Sequence, residues 1–322
     1  MRAIVCEEFG PLDRLRVAEV PDPEPGPGQV LVDVAAAGVN YVDALFVQGL
    51  YQIRPPVPFT PGSEVAGTVV RAGDGVGGLE PGTRVLASCG LGGFAERVVA
   101  PAASAVPIPD RLDAPRAATF PQSHSTMRYA LRDRGGVRPG EHVLVLGAGG
   151  GIGLAAVALA KLFGAKVAAV ASSPAKRDLA VRAGADEVLD PAADVKTAAR
   201  EWSGGGVDIV VDPVGGDQAE PALRALGEGG RYLVIGFASG TIPRLPLNQV
   251  LLRNRTIIGV DWGAWATREP EAQRLILADL LSLVADARLT PPPPTTYPLT
   301  DAATALADLF ERQAIGKLAL VP

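Results

Sequence analysis

Between residues 142 and 260, short apolar runs alternate with stretches of helical period. The runs that predict strands lie at 142–146, 167–171, 187–189, 208–212, 231–235 and 256–260. Helical patterns separate them, near 151–163, 174–183, 193–202, 218–226 and 246–253. Six short strands joined by helices predict an α/β domain with a doubly wound, parallel six-stranded sheet.

Before residue 120 the pattern is different. Strand-like runs at 29–36, 64–72, 84–87 and 95–99 are separated by turns rich in glycine and proline. Many short segments punctuated in this way predict an antiparallel β-rich domain, barrel-like or sandwich-like. The chain ends with a helical pattern at 299–312 and a strand-like run at 316–321. Because the parallel sheet is already complete, we expect this tail to return to the N-terminal domain.

A glycine-rich turn at 147–153 joins the first strand of the predicted parallel sheet to the helix that follows it. Glycines there let the backbone approach a pyrophosphate, and the N-terminus of the helix offers unpaired N–H groups and a positive dipole end. The turn therefore predicts a dinucleotide site.

The end of the second predicted strand bears on which dinucleotide binds. An acid there would accept hydrogen bonds from the adenosine ribose, but the strand ends at Ala171 and is followed by Ser172, Ser173, Lys176 and Arg177. Hydroxyls and cations suit a 2′-phosphate, which favours NADPH over NADH. The alternative is that the two serines only cap the helix at 174–183 and that both cations are solvated.

Composition narrows the class of protein. The chain has 322 residues, a net charge of −5 and 48% hydrophobic residues, which argues against nucleic acid or an anionic membrane as the main partner. Two cysteines exclude a disulfide framework. The first residues contain acids where a signal peptide needs an apolar core, so we expect a cytoplasmic protein. The uncharged stretch at 143–160 is interrupted by glycines, so a membrane span is not expected.

Motifs along nearly the whole chain resemble the zinc-free NADPH:quinone oxidoreductases, related to zeta-crystallin, of the medium-chain dehydrogenase/reductase superfamily. The matching segments are 36–43, 49–51, 58–67, 92–96, 147–153, 212–216, 236–240, 251–254 and 316–317. The resemblance implies a GroES-like β domain formed by residues 1–122 and 265–322, and a Rossmann domain at 123–264 that binds NADPH. It also implies a homodimer through the sheet edge at 256–260.

The soft metal ligands of the chain are few. They are Cys6, Cys89, His124 and His142, so a four-cysteine zinc site is impossible. Zinc enzymes of this superfamily carry a Cys and a His where this chain has Asn40 and Ser63, so we predict no metal. We expect His142, at the start of a strand, to be structural, and His124 to lie near the nicotinamide without a catalytic role.

Hydride donation to an electrophilic acceptor needs no metal, but the resulting oxyanion needs hydrogen-bond donors. Asn40, Tyr51 and Thr126 are suitable donors. The resemblance implies that Asn40 and Tyr51 lie where the acceptor meets the nicotinamide, and Thr126 beside the ring. The alternatives are that Asn40 holds a turn, that Tyr51 only covers the cleft and that Thr126 caps a helix. We expect Glu64 to support its loop and Asp43 to be either architectural or part of the site.

The predicted cofactor contacts follow the same resemblance. We expect Gly150, Gly151 and Ile152 to line the pyrophosphate, and Ser173 and Lys176 to contact the 2′-phosphate. The remaining expected contacts are Gly236, Phe237 and Ser239 beside the dinucleotide, and Arg312 near the adenosine phosphate. Some relatives carry a Tyr where this chain has Pro191, which puts strict discrimination against NADH in doubt.

The sequence thus predicts an NADPH-dependent reductase of quinones or similar conjugated carbonyl acceptors. An enal, an enone or a 2-enoyl thioester is the alternative acceptor, because both reactions use the same donors. A non-catalytic NADPH-binding protein is the third hypothesis.

Overall fold

The computed structural model describes all 322 residues, which form fifteen strands and eleven α-helices. The strands are β1 (Arg2–Val5), β2 (Arg16–Glu19), β3 (Gln29–Val39), β4 (Glu64–Ala72), β5 (Arg84–Ser88), β6 (Arg97–Pro101), β7 (Ala105–Pro107), β8 (His142–Val145), β9 (Lys166–Val170), β10 (Glu187–Leu189), β11 (Val207–Asp212), β12 (Leu226–Val234), β13 (Thr256–Gly259), β14 (Thr295–Pro298) and β15 (Leu318–Val321).

The helices carry most of the connections in the second half of the chain. They are α1 (Tyr41–Gln48), α2 (Ala114–Ala118), α3 (Pro121–Arg128), α4 (Gly151–Leu162), α5 (Pro174–Arg182), α6 (Val195–Trp202), α7 (Ala219–Ala225), α8 (Asn248–Leu251), α9 (Trp262–Arg268), α10 (Pro270–Ala285) and α11 (Ala302–Phe310). A π-helical segment, Tyr129–Arg134, continues α3. None of the eleven α-helices combines the length and the apolar character that spanning a membrane requires.

The chain packs as two compact units. Met1–Gln122 and Glu269–Pro322 form the first, and Ser123–Arg268 forms the second. The boundary predicted after residue 264 falls inside α9, whose Trp265 stacks on Tyr129 with 4.5 Å between ring centroids. That contact lies within the second unit, which contains the whole of α9.

The first unit contains the predicted β-rich sheet. Its seven strands follow the order β14-β15-β3-β4-β5-β7, and β6 pairs with β3. The tail does return to this unit, because β15 pairs antiparallel with β3 through Leu318 opposite Val39. The pairing brings residues next to β15 close to the start of α1, which follows β3 directly.

The second unit contains the predicted parallel six-stranded sheet, in the order β10-β9-β8-β11-β12-β13. Its central strands are buried on both faces, as a parallel sheet between helices requires. Strand β11, for example, buries Ile209, Val210 and Val211 completely. The predicted α/β fold class, a β-rich domain with a Rossmann-type sheet, is confirmed.

Strand β12 begins five residues earlier than predicted. The early part contains Gly227, Gly229 and Gly230, which weaken any strand pattern in the sequence. The structure accommodates them with a shift in register, since Val207 pairs with Leu226 but Ile209 pairs with Arg231. Such a bulge leaves no apolar alternation to detect.

Candidate active site

The glycine turn at 147–153 forms a closely packed cradle at the carboxyl end of β8. A Cβ atom on Gly153 would lie 2.3 Å from the carbonyl oxygen of Gly147, and one on Gly147 would lie 2.7 Å from Val214 Cγ2. Gly150 is the N-cap residue of α4 and provides no side-chain cap. The turn thus packs tightly on its protein side, while Gly150, Gly151 and Ile152 stay partly exposed at the positive end of α4, a position that fits a pyrophosphate.

Lys176 lies against this turn. The stem of its side chain covers Gly149 so closely that a Cβ there would lie 2.5 Å from Lys176 Cβ. Ser173 is the N-cap of α5, and its Oγ accepts a hydrogen bond from the Lys176 backbone N–H at 3.3 Å. The capping role considered for Ser173 is thus observed, and it leaves the hydroxyl at the N-terminus of α5.

Arg177 is held in place rather than free in solvent. Its Nη1 donates to the carbonyl oxygen of Ala171 at 2.9 Å and to Asp190 Oδ2 at 2.9 Å. The guanidinium group therefore lies at the end of β9, where the sequence has no acid, together with a carboxylate that comes from the residue after β10.

Two loops run side by side beyond the ends of β11 and β12. The Ala238 N–H donates to the carbonyl of Pro213 at 3.1 Å, and the Ser239 N–H donates to that of Val214 at 2.9 Å. A Cβ on Gly215 would lie 2.9 Å from the ring of Phe237. The predicted cofactor residues Gly236, Phe237 and Ser239 are thereby fixed to the 213–216 loop, whose Val214 contacts the glycine turn.

A buried acid organises the 213–216 loop. Asp212 Oδ1 accepts hydrogen bonds from the N–H groups of Val214 and Gly215, both at 2.8 Å, and Oδ2 accepts from the Tyr232 hydroxyl at 2.5 Å. Burial, together with the Asp212 charge, raises the pKa of Tyr232. The phenol therefore stays protonated and donates to the carboxylate.

In the first unit, three polar side chains form a network that fixes the amide of Asn40. Lys317 Nζ donates to Asn40 Oδ1 at 2.5 Å, and Asn40 Nδ2 donates to Glu64 Oε1 at 2.8 Å. Lys317 also pairs with Glu64 at 3.1 Å. A flipped amide would point its NH₂ group at the ammonium and its oxygen at the carboxylate, so only one orientation is compatible with these partners.

Glu64 and its surroundings are shaped to hold a buried carboxylate. The residue is 1% exposed, and its Oε2 accepts from the Gln122 N–H at 2.9 Å. A Cβ on the facing Gly38 of β3 would lie 2.6 Å from Glu64 Oε1. As expected from the sequence, Glu64 supports the loop around Asn40.

Asp43 lies fully buried beside this network. Its Oδ2 accepts from the Asn40 N–H at 2.8 Å, which closes the first turn of α1, while Oδ1 has no partner in the protein. Burial raises the pKa of Asp43 to about 7, and the Glu64 charge adds to that rise. Burial, with the Asp43 charge, raises the pKa of the Cys89 thiol to about 12, so this cysteine is not a thiolate.

The other predicted site residues are placed as follows. Tyr51 is half-buried in the first unit, with its ring edge-on to Phe46 at 4.8 Å between centroids. Thr126 is buried in α3, in the second unit. Arg312, with a φ of 63°, directly follows the C-cap of α11 and belongs to the first unit. Among the proposed catalytic residues, then, Asn40 and Tyr51 share one unit and Thr126 belongs to the other.

The two histidines have structural neighbours. His124 is buried, and its Nδ1 lies 3.3 Å from Ser123 Oγ. His142 packs edge-on against Trp202 at 4.9 Å and lies 3.8 Å from Asp208. No group of three or more His, Cys, Asp or Glu side chains is placed to hold a metal ion; the absence of a metal stays a prediction.

Sequence reasoning gave no site role to Lys317, Tyr232 and Asp190. Lys317 is 277 residues from Asn40 along the chain, so no spacing signal links them; its only signal was the Gly-Lys pair of the resemblance. Tyr232 donates to Asp212 of the neighbouring strand β11, and Asp190 lies beside the end of the neighbouring strand β9. Both positions are apparent only when the sheet order is known.

Comparisons with known proteins agree with this architecture. The alcohol dehydrogenase GroES-like domain family matches residues 26–110, and the zinc-binding dehydrogenase family matches residues 151–278. The quinone oxidoreductase-like protein 2 of Bos taurus is 36% identical, and the match covers 99% of this chain and 92% of the relative.

Solved structures give the same result. A probable oxidoreductase from Mycobacterium abscessus matches 100% of this chain and 99% of its own at 40% identity, with a TM-score of 0.91. The quinone oxidoreductase of Thermus thermophilus, solved alone and in complex with NADPH, matches 100% of both chains at 34% identity, with a TM-score of 0.86. The chain belongs to the medium-chain dehydrogenase/reductase superfamily, in its quinone oxidoreductase branch.

Proposed function

We propose that this chain is an NADPH-dependent oxidoreductase that transfers hydride to a quinone or a similar conjugated carbonyl acceptor. The observation that carries the proposal is the cradle at 147–153, which packs too closely for side chains on Gly147, Gly149 and Gly153 and leads into a helix N-terminus without a side-chain cap. The likeness to a quinone oxidoreductase solved with NADPH supports the choice of cofactor and of acceptor.

Bound NADPH supplies the hydride, and most of the residues proposed to hold the dinucleotide belong to the second unit. Gly150, Gly151 and Ile152 present the N-terminus of α4 to the pyrophosphate. Lys176 and the Ser173 hydroxyl face the 2′-phosphate. Gly236, Phe237 and Ser239 flank the dinucleotide, and Arg312 contacts the adenosine phosphate.

Asn40 donates to the oxygen of the acceptor. An amide NH₂ group has two hydrogens, and one of them is used by Glu64. Since Lys317 occupies the amide oxygen, the second hydrogen is what Asn40 can offer to a developing oxyanion or enolate. Tyr51 and Thr126 are the further donors in this proposal.

A panel of acceptors tests the choice of substrate. Purified protein is mixed with NADPH and a quinone, an enal or a 2-enoyl thioester, and NADPH oxidation is followed. We expect kcat/KM to be highest with the quinone, and at least tenfold lower with Asn40→Ala because one oxyanion donor is lost. Strong turnover of the thioester with no turnover of quinones would assign the alternative acceptor. Tight NADPH binding without any turnover would indicate a non-catalytic protein.

We further propose that two copies associate through β13. This strand is the outer edge of the six-stranded sheet, and Leu247, Leu251 and Leu252, just before it, are between 69% and 76% exposed. Unpaired strand edges and clustered apolar side chains are typical of interfaces. Sedimentation should give twice the mass of one chain for the native protein and a monomer for Leu251→Glu. The control is Leu275→Glu, which changes an exposed leucine of the first unit and should stay dimeric. A monomeric native protein would contradict the proposal.

A further inference from the structure

The ends of β9 and β10 lie side by side at one edge of the parallel sheet. The two strands pair in parallel with Leu189 opposite Val170, and the Ala171 N–H donates to the carbonyl of Leu189 at 3.1 Å. Asp190, the residue after β10, therefore follows a strand end adjacent to that of β9. In Rossmann sheets the end of this second strand is where the adenosine ribose is bound.

Arg177 ties the Asp190 carboxylate to that position. A single nitrogen, Nη1, donates both to the carbonyl of Ala171 and to Asp190 Oδ2. The other oxygen, Oδ1, accepts from the Ala192 N–H at 2.9 Å. Each carboxylate oxygen has a second lone pair, and the side chain is 44% exposed, so the group is oriented but still open to another donor.

The carboxylate is charged under ordinary conditions. The hydrogen bond from the Ala192 N–H, helped by the Arg177 charge, lowers the pKa of Asp190. An ionised carboxylate accepts hydrogen bonds from a ribose hydroxyl, whereas it repels a 2′-phosphate. The cations Lys176 and Arg177 instead attract a 2′-phosphate. The region beyond β9 thus carries a carboxylate suited to NADH and cations suited to NADPH.

We propose that Asp190 supplies, from the neighbouring strand, the ribose-binding carboxylate that is missing at Ala171, so that the protein binds NADH as well as NADPH. The inference rests on the proposed cofactor site. With NADH, Asp190 accepts from the 2′-hydroxyl of the adenosine ribose while it stays paired with Arg177. With NADPH, Lys176 and Arg177 attract the phosphate and the Asp190 charge weakens its binding.

Direct binding of both dinucleotides tests the assignment. Dissociation constants for NADPH and NADH are measured by titration calorimetry on the native protein and on Asp190→Asn, which removes the charge and keeps one oxygen that can accept from Arg177. Loss of a hydrogen bond to a charged acceptor should weaken NADH binding by about tenfold or more. The same substitution should strengthen NADPH binding a few-fold, because one repulsive charge is removed.

Two further variants separate local contacts from general effects. Glu187→Gln removes the same charge at the opposite end of β10 and should leave both dissociation constants unchanged. Lys176→Ala should weaken NADPH at least tenfold with little effect on NADH. An unchanged NADH affinity in Asp190→Asn, or no NADH binding by the native protein, would overturn the role of Asp190. An unchanged NADPH affinity in Lys176→Ala would instead overturn the proposed 2′-phosphate site.

Discussion

At the scale of single residues, two charged neighbours hold the amide of Asn40 in one orientation. Lys317 determines which end of the amide faces it, and Glu64 uses one of the two amide hydrogens. The sequence predicted Asn40 from a motif but not the lysine that orients it, because their contact depends on the pairing of β15 with β3. A contact that depends on strand pairing leaves no local pattern in the sequence.

The network around Glu64 should respond non-additively to substitution. Lys317→Met leaves a buried carboxylate without its cation, which costs on the order of 3 kcal/mol of unfolding free energy. Lys317→Met combined with Glu64→Gln removes the charge as well and should cost less than the single change. Urea unfolding of both variants measures the difference. A double variant less stable than Lys317→Met would show that the lysine does not compensate the carboxylate.

Asp43 should make stability depend on pH. Its pKa is raised to about 7 in the folded protein, whereas an aspartate in an unfolded chain titrates near about 4. Between these values the unfolded chain has lost the proton and the folded protein still holds it, so stability falls as pH rises through this window.

Asp43→Asn should abolish that part of the pH dependence. We expect the variant to gain a few kcal/mol relative to the native protein between about pH 5 and pH 8, because its amide never ionises. Denaturant unfolding at both pH values measures the gain, and Asp74→Asn, at an exposed aspartate, is the matched control. Parallel stability curves for Asp43→Asn and the native protein would contradict the raised pKa.

At the scale of elements, the connection between β8 and α4 was predicted well because an apolar run, a glycine-rich turn and a helical pattern follow one another there. The predicted helix at 151–163 ends one residue later than α4, and the strand at 142–146 one residue later than β8. Strand β12 was predicted less well, since its glycine-rich start lies in a bulge. Local sequence predicts elements best where burial and turn chemistry indicate the same boundary.

The close packing of the turn between β8 and α4 predicts that alanine substitutions at its glycines differ in their cost to stability. Gly153→Ala places a methyl group 2.3 Å from a backbone oxygen that cannot move aside, which should cost about 1–3 kcal/mol of stability. At Gly150 the nearest atom is 3.6 Å away, an ordinary contact, so Gly150→Ala should stay within about 1 kcal/mol of the native protein. Thermal unfolding compares them, and equal losses would contradict the proposed packing.

At the scale of the whole molecule, the order of elements along the chain was sufficient to predict two domains and their fold class. The parallel sheet was evident from alternating strands and helices, and its completion by residue 260 indicated where the tail belongs. Residues brought together by strand order, such as Asp190 beside Ala171, were not predictable. The two residues are 19 positions apart along the chain, and the pairing of β9 with β10 makes them neighbours.

The central claim is that this chain passes hydride from NADPH to a quinone without a metal. Rapid mixing of NADPH-loaded protein with a quinone, in the presence of a metal chelator, tests it most directly. NADPH deuterated at the transferred position should be oxidised more slowly than ordinary NADPH in the first turnover, and the chelator should not change either rate. No quinone-dependent oxidation of NADPH, or loss of oxidation with the chelator, would contradict the account.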